Sequence, residues 1–273
     1  MVDATERVPP TDLESLLPYA GYCDPAGLFG IMCLVQGKAD RRTRRLRGIR
    51  IIHEDEDVIV IEKAAGLLAQ ETRRGGEYAV DAALSDYVRK GQAKSRKRVY
   101  LVHRLDRETG GVMMVAKSPE VQEYFRSRWN EITEKTYLAR VVGSLPAKEG
   151  FFESLLAEDA DGYRVRSVKD AKRGRLARTE WTVLSESKGT TLVRVALKSG
   201  RKNQIRVHFS EAGHPVVGDT KYRGPASPAG LCLHAWRLAF IHPRTGKKLF
   251  FETDLPAFAG GSRSSTPSHE AAK

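Results

Sequence analysis

His103-Arg104-Leu105-Asp106-Arg107-Glu108-Thr109-Gly110-Gly111 sets four charges of both signs between two apolar runs, Tyr100 to Val102 and Val112 to Ala116. Those runs read as strands. A polar loop positioned by strands is where catalytic groups usually sit. The two glycines let the backbone that follows take positive φ. On charge alone an ordinary loop, with Asp106 paired to Arg104 or Arg107, fits equally well.

Outward from this loop the chain alternates short strands with few helices. On the N-terminal side, Ile49 to Ile52 and Val58 to Glu62 read as strands joined by the acidic turn His53-Glu54-Asp55-Glu56-Asp57. No loop of spaced oxygen ligands follows that run, so it reads as a turn rather than a metal site. Ala79 to Lys90 carries Val80, Ala83, Leu84, Tyr87 and Val88 at helical spacing, with Gly91 as the stop. On the C-terminal side Ser118-Pro119 opens a helix that runs to about Asn130, with serine as the cap and proline in the first turn. Lys135 to Val142, Phe151 to Leu156, Thr179 to Leu184, Thr191 to Leu197, Leu233 to Leu238 and Leu249 to Thr253 read as further strands, and Gln204 to Ala212 as a helix ended by Gly213. Several strands follow one another directly. The expected class is therefore α+β, with a mixed, largely antiparallel central sheet and flanking helices and loops. Residues 1–48 read as a basic extension with a short helix near Asp12 to Leu17, residues 49–259 as the main domain, and residues 260–273 as a disordered Gly/Ser/Thr/Pro tail.

The chain has 273 residues, enough for a substantial core, and a net charge of +12. The charge is concentrated. Windows Lys38–Arg50, Arg89–Arg98 and Arg164–Arg178 each net +6, which leaves the rest of the chain at −6. Three such clusters are the footprint of a polyanion. No apolar run approaches the roughly 20 residues of a membrane span, and the N-terminus lacks the layout of a signal peptide. Three cysteines without Cys-x-x-Cys spacing support neither a disulfide framework nor a zinc site, which suits a cytoplasmic protein.

No phosphate loop, dinucleotide fingerprint, nucleophile elbow or His-Glu-x-x-His is present, and the seven histidines lack metal-ligand spacing. A nucleotide-driven or metal-driven enzyme is disfavoured. A second dense segment, Lys198-Ser199-Gly200-Arg201-Lys202-Asn203-Gln204-Ile205-Arg206-Val207-His208, turns from strand to helix at Asn203-Gln204. Cations and free amides at a helix start favour an anion or a carboxylate; a basic loop with a helix cap is the plainer alternative.

With both segments in view the chain resembles the RluA-type pseudouridine synthases. His103-Arg104-Leu105-Asp106-x-x-Thr109-x-Gly111 resembles the family's signature. The segment Val58 to Lys63 with Gly66-Leu67, Lys135-Thr136-Tyr137 with Ala139 and Val142-Gly143, and Gly200-Arg201-x-x-Gln204-Ile205-Arg206-Val207-His208 fall in the family's order. Gly213 to Asp219, Lys221-Tyr222, Leu233-His234-Ala235 and Phe240 complete the likeness over about Ile49 to Ala257. Three positions depart from the pattern: Ala64 where proline is usual, Gly110 where serine is usual and Asn203 where histidine is usual.

The resemblance implies the pseudouridine synthase fold and the conversion of uridine in rRNA or tRNA to pseudouridine without cofactor or metal, by a monomer. It implies that Asp106 acts, as nucleophile at the sugar or as base at its C2′ proton. Arg206 would partner Asp106, since a cation fixes a carboxylate and favours its charged form. Tyr137 would pack on the uracil of a flipped nucleotide. Arg104 would fill the space the base vacates, Leu233 would line the uracil pocket, and Arg201 and Gln204 would contact the RNA. A non-catalytic RNA-binding protein on the same fold is the competing reading, but binding alone requires none of Asp106, Tyr137 and Arg206.

Overall fold

The computed structural model describes residues 46–260 except 72–75, 91 and 93, together with a two-residue strand at 33–34. The expected helix near Asp12 to Leu17, most of the basic extension and the tail beyond Gly260 lie outside the described residues. The described strands form one twelve-stranded sheet. In chain order they are β1 (Cys33–Leu34), β2 (Ile49–Glu54), β3 (Val58–Lys63), β4 (Tyr100–Leu101), β5 (Gly110–Ala116), β6 (Thr133–Val142), β7 (Glu149–Glu158), β8 (Val165–Val168), β9 (Arg175–Ser187), β10 (Thr190–Leu197), β11 (Leu233–Ile241) and β12 (Lys248–Glu252). Three helices accompany them: α1 (Val80–Arg89), α2 (Pro119–Ile132) and α3 (Gln204–Glu211). The order across the sheet is β2-β3-β5-β11-β6-β10-β9-β7-β8, with β4 beside β5, and with β12 pairing both β11 and β1. β5–β11 and β1–β12 pair in parallel; the other pairings are antiparallel. The architecture is the mixed, largely antiparallel α+β arrangement expected.

Local chemistry explains the helix ends. The Ser118 hydroxyl accepts from the Val121 amide at 3.3 Å and Pro119 occupies the first turn of α2, where its missing N–H costs nothing. The helix outruns its expected end and passes straight into β6 at Thr133. At the end of α1, Lys90 takes the left-handed conformation (φ 51°) and returns its amide to the Tyr87 carbonyl; the expected stop, Gly91, lies outside the described residues. β8 was not foreseen: it is a short edge strand inside the third basic window, where exposed arginines hide the alternation.

Two larger apolar clusters lie along the sheet, with a third, smaller one of Leu156, Val165, Ala177, Val207 and Tyr222. The first gathers Val58 to Ile61, Met113 to Val115, Leu84 of α1 and Phe125 of α2. All seven residues of β5 are buried, so both faces of this central strand are covered. The second cluster gathers Ala139, Val193 and Val195 against Ile205 and Phe209 of α3. Each of the larger of these side chains contributes about 1.5–3 kcal/mol on burial. β11 belongs to both: Ala235, Leu238 and Phe240 enter the first cluster and Leu233 the second. β11 can lie beside β5 only because Gly111 has no side chain. Its φ is +120°, and a Cβ there would sit 2.1 Å from the Ala235 carbonyl oxygen. Gly110 has ordinary φ, so one glycine of the pair uses the freedom that both were expected to use.

The acidic turn between β2 and β3 is a docking point within the fold. Asp55 accepts from the Asp57 and Val58 amides at 2.8 Å each, and its other oxygen lies 2.8 Å from His53 Nε2 and 3.2 Å from His242 Nε2. These bonds hold the Asp55 carboxyl well below the usual range despite partial burial. Arg244, in the β11–β12 turn, clasps Asp57 with two bonds of 2.8 and 2.9 Å. Asp55, Asp57 and His242 lie close enough to share an ion, but internal donors already occupy the carboxylates. No described helix is long and apolar enough to cross a membrane.

Candidate active site

The loop between β4 and β5 is braced from several sides. The His103 Nε2 accepts from the Met114 amide at 3.0 Å, and its ring stacks on Trp129 with centroids 4.6 Å apart. Burial, reinforced by nearby Lys135, pushes His103 down to about 3, so the ring is neutral and free to accept. Leu105 and Thr109 are buried. The Thr109 amide bonds the Asp106 carbonyl at 3.1 Å, and the Gly66 amide bonds the Arg107 carbonyl at 2.7 Å. Beneath the loop lies Lys63, fully buried in β3. Its ammonium donates to the carbonyls of Ala64, Leu67 and Arg107 at 3.1, 2.8 and 3.2 Å. Burial pulls its pKa down to about 8, while Asp106 and Glu108 oppose that shift.

Asp106 reaches across to α3 rather than pairing with Arg104 or Arg107. Its Oδ2 accepts from Arg206 Nη1 at 3.1 Å and from Asn203 Nδ2 at 2.6 Å. Arg206 is itself fixed from behind. Nε and Nη2 donate to the two oxygens of Asp219 at 2.7 and 2.8 Å, a two-pronged pair with a carboxylate that is fully buried. Burial opposes the Arg206 charge, but Asp219 and Asp106 more than offset it and hold the guanidinium protonated. Arg206 Nη1 also approaches Glu108 at 3.5 Å. The carboxylate met at the start of α3, anticipated in general terms, is therefore the chain's own Asp106. The Asp106 side chain remains 28% exposed, so one side stays open to a ligand.

Tyr137 stands on β6, opposite Ala235 of β11 and Val195 of β10. Burial, and secondarily the charge of Asp106, raise the pKa of its hydroxyl, which stays a neutral phenol. Leu233 lies two residues along β11 from Ala235, opposite Ala139. Side chains two apart on a strand share a face, so Leu233 sits diagonally beside Tyr137. Asp106, Arg206, Tyr137 and Leu233 thus gather where β5, β6, β11 and α3 meet.

The remaining expected residues stand apart. Arg104 is exposed and donates to the Gln70 amide oxygen at 3.2 Å. Arg201 is exposed and donates to the Leu176 carbonyl at 3.1 Å. Gln204 differs from the expectation of an RNA contact. It is buried, accepts from Ser199 Oγ and the Arg201 amide, and donates to the Arg178 carbonyl and Thr179 Oγ1. Its work is to pin the turn that leads into α3. Four residues next to Asp106 or its partner carried no role in the sequence reading: Lys63, Asn203, Asp219 and Tyr222. Each lies in a segment quoted for the resemblance, but nothing in its local pattern signals a contact that spans tens of residues.

Comparison with known proteins agrees with this geometry. The sequence pattern of the RNA pseudouridylate synthase family matches residues 57–211. The ribosomal large subunit pseudouridine synthase D of Nitrosomonas europaea is 33% identical over 220 residues, covering 76% of this chain and 62% of that protein. This chain thus spans about three-fifths of that relative's length. The dual-specificity RNA pseudouridine synthase RluA of Vibrio cholerae is 34% identical over 202 residues, covering 72% of this chain and 79% of that one. Among solved structures, human RNA pseudouridylate synthase domain containing 4 superposes with a TM-score of 0.61 at 27% identity, over 78% of this chain and 90% of that chain. With the sheet order, the loop around Asp106 and these likenesses in agreement, the chain belongs to the RNA pseudouridylate synthase family.

Proposed function

We propose that this protein isomerises particular uridines of structured RNA, ribosomal or transfer, to pseudouridine, with residues 49–259 as the catalytic domain acting as a cytoplasmic monomer. The observation that carries the reading is the Asp106 carboxylate. It is held by Arg206 on one side, left open on the other, and flanked by an aromatic ring at Tyr137.

The reaction breaks the N1–C1′ bond, turns the uracil and joins C5 to C1′. The C5 hydrogen leaves as a proton and N1 gains one, so no oxidant, energy source or co-substrate enters the balance. Asp106 must be ionised to attack C1′ or to take the C2′ proton. Arg206 supports either role because Asp219 already neutralises much of its charge and fixes its plane. It presents Nη1 to Asp106 without needing to move. The uracil, turned out of its stack, rests on Tyr137 with Leu233 alongside, and the apolar wall favours the neutral ring over water. Arg104 and Arg201, exposed at the rim, meet the surrounding RNA, and the basic windows at Arg89–Arg98 and Arg164–Arg178 hold phosphates and set position rather than read sequence.

The names of the relatives direct the test to large-subunit ribosomal RNA first and transfer RNA second. Pseudouridine mapping in total RNA from cells with and without the gene identifies the target. Asp106→Ala abolishes its formation while RNA binding persists; a D106A protein that still forms pseudouridine overturns the assignment. A wild-type protein that binds RNA but leaves every uridine unchanged supports the non-catalytic alternative.

A further inference from the structure

Asn203 is the strongest departure from the resembled pattern, and it touches the reacting carboxylate. It precedes α3 in the left-handed conformation (φ 50°, ψ 21°), which asparagine tolerates better than most residues, and it is buried. Its Nδ2 donates to Asp106 Oδ2 at 2.6 Å. Its Oδ1 accepts from Lys221 Nζ and from the Tyr222 hydroxyl, both at 3.1 Å.

The chemistry of the neighbours fixes which way the amide faces. An ammonium can only donate, so oxygen must face Lys221. An ionised carboxylate can only accept, so nitrogen must face Asp106. The Tyr222 hydroxyl accepts from the Val165 amide at 2.9 Å, which leaves its proton for Asn203. Turning the amide over would set nitrogen against the Lys221 ammonium and oxygen against the Asp106 carboxylate, breaking both of those bonds at once.

We propose that Asn203 is a positioning residue. Locked by Lys221 and Tyr222, its amide holds one oxygen of Asp106 in place against the pull of Arg206 and aims the other oxygen at the sugar. The inference rests on Asp106 being the reacting group. The titratable groups around that carboxylate are Lys63 from β3, Glu108 from its own loop, Tyr137 from β6, Arg206 from α3, and Lys221, Tyr222 and Asp219 from the segment after α3. At position 203 itself nothing titrates, unlike the histidine usual there in the resembled family.

The test compares the full-length wild type with N203A, N203D, N203H and D106N. Release of tritium from C5 at steady state is followed on transcripts of large-subunit ribosomal RNA and on a tRNA transcript pool. Loss of one hydrogen bond to a charged group predicts that N203A lowers kcat about 10- to 100-fold while KM stays within about threefold. N203H restores a ring donor and recovers most of that loss. N203D places a second carboxylate beside Asp106 and moves the acid limb of the kcat–pH profile upward.

Carbon NMR titration of the Asp106 carboxyl, assigned with D106N, gives a readout that needs no RNA. Removing the Nδ2 donor raises its midpoint in N203A, and an unchanged midpoint overturns the proposal. A rise in KM with kcat intact also overturns it and makes Asn203 an RNA contact. Equal losses in N203A and N203H that track falling melting temperatures reduce it to a folding residue and likewise overturn it. Activity in D106N overturns the reading of the reaction instead, while the carboxyl titration still decides the role of Asn203.

Discussion

Asp219→Asn and Asp106→Asn each remove one of the two carboxylates closest to Arg206, Glu108 being a third at 3.5 Å, and the structure predicts opposite consequences. The Asp219 side chain is fully buried, the Arg206 side chain 5% exposed and the Asp106 side chain 28% exposed. Removing one partner of a buried ion pair costs about 3–5 kcal/mol because the other charge is stranded. In D219N, Arg206 keeps Asp106 at 3.1 Å, which places the loss near the low end, about 3 kcal/mol. At about 2–4 °C per kcal/mol for a domain of this size, the melting temperature falls by roughly 6–12 °C. In D106N the two bonds from Arg206 to Asp219 persist, and the altered group borders water. The cost is about 1 kcal/mol or less, yet pseudouridine formation stops. Calorimetry and urea titration measure the stabilities, and tritium release measures activity. If D106N lowers the melting temperature as much as D219N, Asp106 is a structural partner of the arginine and the division of roles is refuted.

Gly111→Ala drives a Cβ into the Ala235 carbonyl at a φ that alanine resists. We expect at least about 3 kcal/mol of destabilisation, and an unfolding free energy from urea titration within about 0.3 kcal/mol of wild type would disprove the tight β5–β11 approach. Lys63→Met takes the ammonium from three carbonyls, of which only that of Arg107 keeps another donor, the Gly66 amide, and it loosens the loop that carries Asp106. Faster hydrogen exchange at Glu108 and Thr109 and a stability loss of about 3 kcal/mol are expected; native protection there would count against the brace. His103 is held near 3 and His234 near 4 in the fold, both by burial, against about 6.5 unfolded. Their contribution is therefore intact above pH 6.5 and shrinks as pH falls toward those values. Between pH 6.5 and 4.5 the pair adds a slope of up to about 3 kcal/mol per pH unit. Denaturant titrations should show that slope roughly halved in His103→Asn, and a flat profile from pH 7 to 5 would contradict it.

Local signals in the sequence account for most of the scaffold. The Ser118-Pro119 start of α2 and the β-branched apolar runs of β3 and β10 are short-range consequences of capping and strand propensity, and the structure shows these elements where they were expected. The segments that misled were those whose pattern answers to distant neighbours. β7 and β9 extend past their apolar stretches because exposed charges on the outer face, Arg178 against Glu153 for instance, suit an antiparallel ladder as well as apolar residues do. At the site, Asp106 and Arg206 were legible through motifs, and their contact was anticipated. Gln204, given an RNA contact by the resemblance, is drawn inside by four internal hydrogen bonds. Asp219 and Asn203 could not be assigned, since each acts through a group 13 or 97 positions away, and nothing near them records that distance.

The place of β11 bears on how the protein comes into being. The strands that carry the Asp106 loop and those that seat Tyr137 join in one sheet only through Leu233–Ile241. A ribosome that has released the chain as far as Leu231 has already made Asp106, Tyr137, Asn203, Arg206 and Asp219, yet the seam between the two halves does not exist. The nascent chain therefore lacks an assembled site until β11 emerges and slots between β5 and β6, strands made about a hundred residues before it. Closure over such separations is slow compared with helix formation, so assembly of the site trails synthesis of its residues and is timed by β11 rather than by the loop and helix that carry Asp106 and Arg206.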